Sequence, residues 1–108
     1  TYANSAKKHV LGVEDTILKR NGAVSAECAA AMLKGAIRVT GAQAAVCTTG
    51  IAGPGGGSAD KPVGLVYIGV CYQDVCTIQR CVFCGNRAEI IEKAKNEALF
   101  LLKWKVQK

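Results

Sequence analysis

Glycine and cysteine carry most of the chemistry this sequence can offer. Five glycines fall in the eight residues Gly50–Gly57, inside the stretch Gly50–Pro62. Backbone this rich in glycine, directly after an apolar run, lets successive N–H groups converge on an anion. Two known phosphate signatures do not fit. A P-loop needs Lys after its second glycine; Gly50 and Gly55 have the spacing, but Gly56 stands at the Lys position. The dinucleotide fingerprint is met by Gly53 and Gly55 and fails at Ser58, and a strand rather than a helix should follow. The loop therefore reads as a ligand-binding loop of another kind, ended by the rigid Pro62.

The six cysteines are Cys28, Cys47, Cys71, Cys76, Cys81 and Cys84. The last four invite a zinc site, and Cys81-Val-Phe-Cys84 invites a redox motif. Geometry argues against both. Val75–Phe83 reads as a strand, and residues three apart on a strand point to opposite faces. Cys71 and Cys76 would face each other if Gln73-Asp74 is a two-residue turn; they could pair, but two further metal ligands are missing. No metal and no cofactor is expected.

These residues need elements to position them. Short helices are expected from Asn4 to Gly12 and over Val13–Arg20. Ser25 is an N-cap with Val24 before it, for a helix running to Thr40 and stopped by Gly41. Ala29, Leu33, Ala36, Ile37 and Thr40 form its apolar face. Gln43–Thr49 reads as a buried strand, and Val63–Tyr72 with Val75–Cys84 as a β-hairpin. Asn86 to Glu89 resembles a capping box, opening a helix to about Lys105 with Ile90, Ile91, Ala94, Ala98, Leu101 and Leu102 as its stripe. The expected fold is α/β: a layered α/β/α sandwich with a mixed sheet, a β-hairpin and a C-terminal helix.

The chain has 108 residues, 14 Lys plus Arg and 8 Asp plus Glu, a formal charge of +6. That length suits one domain. The basic residues are scattered, and only Lys103, Lys105 and Lys108 cluster, around Trp104. A nucleic-acid stripe is therefore not expected, whereas a small anionic ligand is. No apolar run is long enough to span a membrane, and no signal-peptide pattern is visible, so a cytoplasmic protein without membrane contact is expected.

Residues 48–68, Thr-Thr-Gly-Ile-Ala-Gly-Pro-Gly-Gly-Gly-Ser-Ala-Asp-Lys-Pro-Val-Gly-Leu-Val-Tyr-Ile, resemble the signature of the CinA C-terminal domain family. Tyr2-Ala-Asn-Ser-Ala-Lys7 with Leu11-Gly-Val13, Asn21-Gly-Ala-Val-Ser25 and Phe83-Cys-Gly-Asn-Arg87 resemble three further family blocks, in the same order. The resemblance implies a nicotinamide-nucleotide amidase, hydrolysing nicotinamide mononucleotide to nicotinate mononucleotide and ammonia in NAD salvage. It implies Lys7 as the base partner of a serine nucleophile, with Tyr2 close by. It also implies Thr49, Gly50, Gly53, Gly55 and Gly56 as the nucleotide loop, and Arg87 as a phosphate ligand. Arg87 would stand in the first turn of a helix, where a cation opposes the macrodipole, which favours a functional role.

Two departures shape the expectation. Ser5 stands where the family has Glu, and Ser5-Ala-Lys7 is not the S-x-x-K of serine–lysine acylases. Asn86 stands where the family has Asp. The family's nucleophile and its E-S-C-T-G-G segment would precede Thr1. Residues 1–108 are thus expected to be the later two-thirds of a CinA-like amidase domain, inactive alone. The alternative is a non-catalytic nucleotide- or partner-binding module. An apolar face and a sheet edge would be left uncovered, so a homo-oligomer is expected.

Overall fold

The computed structural model describes residues 22 and 24–107. The expected helices before Arg20 lie outside the described residues. Helix α1 spans Ala26–Thr40, strand β1 Ala44–Gly50, β2 Leu65–Tyr72, β3 Val75–Val82, and helix α2 Arg87–Gln107.

The ends of the elements follow local rules. Ser25 is extended, and its hydroxyl accepts from the Cys28 N–H at 3.1 Å, satisfying one of α1's orphan donors. Gly41 closes α1 in the left-handed region, φ 69°, and its N–H donates to the Ile37 carbonyl at 2.7 Å. Asn86 and Glu89 make a reciprocal capping box. The Glu89 N–H donates to Asn86 Oδ1, and the Asn86 N–H to Glu89 Oε1, each at 2.9 Å.

The strands run in the order β1-β2-β3, and both pairings are antiparallel. The mixed sheet is therefore corrected: among the described residues no strands pair in parallel. A parallel pair needs a crossover, usually a helix, and the segment between β1 and β2 is a glycine-rich loop without one. Gln73 and Asp74 form the two-residue turn between β2 and β3, both at positive φ (48° and 69°), which matches the strands' right-handed twist.

The two helices cover opposite faces of the sheet. Val66, Ile68 and Val70 of β2 pack against Ile90, Ala94 and Ala98 of α2. On the other face Cys28 and Met32 of α1 pack with Cys47 of β1. Strand β2 is thus buried on both sides, and Leu33, Leu65, Ile68 and Ile90 are fully buried. Each contributes roughly 1.5–3 kcal/mol of transfer free energy. The exposed Lys95–Glu92 ion pair, at 3.0 Å, adds at most about 1 kcal/mol. Apolar burial therefore sets the layering. Gly69 lets α1 approach: a Cβ there would stand 2.6 Å from Leu33 Cδ1 and 2.9 Å from Cys47 Sγ.

The buried face of α1 keeps Ala29 and Leu33 of the expected stripe and departs from the rest of it. Cys28, Ala29, Met32, Leu33 and Gly35 are buried, whereas Thr40 is exposed. On α2, Ile90, Ala94 and Ala98 are buried as expected, but Ile91 is half exposed. Cys71 and Cys76 are joined in a disulfide across β2 and β3. Cys81 is half-buried on β3, and Cys84 is exposed beyond its end. No helix among the described residues is long and apolar enough to cross a membrane.

Candidate functional site

Strand β1 ends in Gly50 for a steric reason. A Cβ there would stand 2.7 Å from both the Leu65 carbonyl oxygen and Val66 Cγ2, so no other residue lets β1 and β2 stay paired at this point. The chain then leaves the sheet as the glycine loop, which is tied down at its base. The Ile51 N–H donates to the Leu65 carbonyl at 2.9 Å, and the Gly64 N–H returns to the Ile51 carbonyl at 2.7 Å. Farther out, the Ser58 N–H donates to the Lys61 carbonyl at 2.9 Å, and the Lys61 N–H to the Ser58 hydroxyl at 3.1 Å. The loop is therefore a shaped segment with its own hydrogen bonds.

Helix α2 starts beside this loop. The capping box fixes its first turn, and the Arg87 guanidinium donates to the Gly53 carbonyl at 3.3 Å across 34 residues of sequence. Gly53 is buried, with φ 81° and a cis bond to Pro54. Arg87 thus points back over its own helix N-terminus, toward the loop, where backbone N–H groups and the macrodipole both favour an anion.

Between β1 and α2 lies a groove of about 560 Å³, within the range of small-molecule sites. Val46, Thr48 and Gly50 form its floor. Arg87, Ile91, Lys95 and Leu99, four residues apart along α2, form its wall. The groove is mostly apolar, with one cation at the loop end and a second, Lys95, farther along the helix.

The residues expected at the site are distributed as follows. Gly50 and Arg87 line the groove, and Gly53 joins them through the hydrogen bond from Arg87 to its carbonyl. Thr49 is buried, and strand alternation places its side chain on the α1 face with Cys47, opposite the groove, which Thr48 lines instead. Gly55 and Gly56 are exposed at the outer part of the loop, Gly56 with φ 93°. Tyr2 and Lys7 lie outside the described residues. Sequence reasoning missed Thr48, Ile91, Lys95 and Leu99 as groove residues. The four-residue recurrence from Arg87 is the available signal, but the helical stripe read from the sequence places Ile91 in the core.

Comparison with known proteins converges on one family. The family described as "CinA C-terminal domain" matches residues 1–106. A protein of Moorella thermoacetica named for competence-damage induction is 47% identical over 102 residues, covering 94% of this chain and 25% of its own length. A CinA-like protein of Geobacter sulfurreducens is 49% identical over 90 residues, covering 83% of this chain and 22% of its own. The chain thus spans about a quarter of the length of these relatives. Among solved structures, the competence damage-inducible protein A of Klebsiella pneumoniae superposes with a TM-score of 0.93 at 32% identity, over 99% of this chain and 66% of that one. The competence/damage-inducible protein of Agrobacterium tumefaciens gives 0.85 at 40% identity, over 95% and 66%. The glycine loop, the arginine that reaches it and these matches together place the chain in the CinA C-terminal domain family.

Proposed function

We propose that these residues form the nucleotide-binding part of an amidase that hydrolyses nicotinamide mononucleotide to nicotinate mononucleotide and ammonia. The observation that carries this reading is the Arg87–Gly53 contact, which sets a guanidinium beside the glycine loop at the head of a groove of nucleotide size. The guanidinium and loop N–H groups would take the phosphate, an anion that suits a chain with charge +6. The apolar length of the groove would take ribose and ring. In the overall reaction water adds to the carboxamide carbon and ammonia leaves. Lys7 would act as base toward a serine nucleophile, with Tyr2 beside it, and a lysine does so only if its pKa is lowered. No metal, cofactor or nucleic acid has a part in this scheme.

Titrating nicotinamide mononucleotide into the 108-residue chain by calorimetry tests the reading. Micromolar binding is expected, without ammonia release in a coupled assay. Arg87→Ala should weaken binding by roughly tenfold or more, the loss of a charge-assisted contact, with an unchanged circular dichroism spectrum. A flat titration of the wild-type chain would remove the proposal.

A further inference from the structure

The amidase scheme uses no cysteine, yet two of the six face each other across a hairpin. We propose that Cys71 and Cys76 form a thiol-exchangeable redox site, opened by a dithiol at the Cys76 sulfur while the sheet stays folded. The register pairs Cys71 directly with Cys76 and Tyr72 with Val75, so the cysteines lie one pair below the turn. Tyr72 and Val75 close a two-residue turn. The next pair is then a non-hydrogen-bonded one, where side chains on an antiparallel ladder come closest. The two sulfurs are unequal. Cys71 has no exposed surface, whereas Cys76 lies exposed on β3. An incoming thiolate is therefore kept from the Cys71 sulfur and must approach from the Cys76 side.

Two features make the bond a local device. It closes a sequence separation of only 5 residues, and short loops gain least from a crosslink in the chain-entropy account. It also lies beneath Gln73 and Asp74, non-glycine residues held at positive φ in a turn that favours Asn-Gly. Opening the bond frees this tip to relax, while the core around Val66, Ile68 and Val70 keeps the rest of the hairpin in place. The exchange balances. A dithiol's thiolate attacks Cys76 Sγ, the S–S bond breaks, and Cys71 leaves with the electron pair and takes a proton. The second dithiol sulfur then displaces Cys76, so two electrons and two protons have moved and the dithiol is oxidised.

The test is a dithiothreitol titration of the purified chain, pulsed with iodoacetamide and read by peptide mass mapping, with circular dichroism in parallel. Before reduction, a Cys71–Cys76 linked peptide is expected. On reduction the chain should gain two hydrogens, and Cys76 should label roughly tenfold faster than Cys71, reflecting access to the two sulfurs. The far-ultraviolet spectrum should not change, and amide exchange should rise over residues 72–76 but not over 65–70. Cys76→Ser and Cys71→Ala should each abolish the linked peptide. Absence of the linkage after mild oxidation with diamide, or opening only where the spectrum is lost, would overturn the proposal; the wild-type pulse decides even if a variant fails to fold.

Discussion

At the scale of single residues, Cys81 is the group whose environment gives the clearest pH signature. Burial pushes its thiol above the ordinary value of 9.0; a hydrogen bond from Gln79 works against this, and the Glu97 carboxylate adds to it. A raised thiol favours the neutral form in the folded chain. Its stabilising effect is full below pH 9.0 and is lost as pH climbs through the raised value. Denaturant melts between neutral and alkaline pH should show this loss, and Cys81→Ala should flatten it. The half-buried Cys81 should also alkylate later than the exposed Cys84 when both are followed by mass mapping, because its sulfur is less accessible. Residue identities also explain which positions of the candidate site could be picked out from the sequence. Gly50 and Gly53 are needed for close approach and positive φ, requirements that glycine alone meets cheaply, so their types announce their roles. Thr48 and Lys95 carry no such mark. Their part in the groove depends on which face of β1 and α2 is turned inward.

At the scale of elements, the caps were legible because they are local. Ser25, Gly41 and the Asn86–Glu89 pair each work within a few residues of themselves. Asn86→Ala should cost about 1 kcal/mol, read as a lower denaturation midpoint at unchanged slope. Strand direction was less legible, since it is set by the connection between β1 and β2 rather than by either strand's composition. The inward face of α1 was also shifted from the expected stripe. Ala29 and Leu33 keep their expected places and Leu33 meets Gly69, while Cys28 and Gly35, small residues that a hydrophobic stripe undercounts, join the buried face. Gly69→Ala tests that contact. Its Cβ would press on Leu33 and Cys47, costing about 1–3 kcal/mol by overpacking, and a compensating Leu33→Val should recover part of the loss.

At the scale of the whole molecule, apolar side chains stay uncovered on one helix and on the outer strand. Helix α2 shields β2 but leaves Ile91, Leu99, Phe100, Trp104 and Val106 substantially exposed, and Val75 and Val82 are exposed on the outer strand β3. Concentration-dependent association is the expected outcome, measurable by light scattering, and Leu99→Glu should reduce it. A monodisperse monomer at all concentrations would contradict it. The order of the sheet has a kinetic corollary. Strands that neighbour one another in space are also neighbours in sequence, so each pairing closes a short stretch of chain. The β2–β3 hairpin has only two residues to close and can form within roughly 1–10 μs. The glycine loop joining β1 to β2 is longer, but the closing entropy grows only with the logarithm of its length. A longer or shorter loop between β1 and β2 should therefore bring little penalty to the speed at which the sheet assembles.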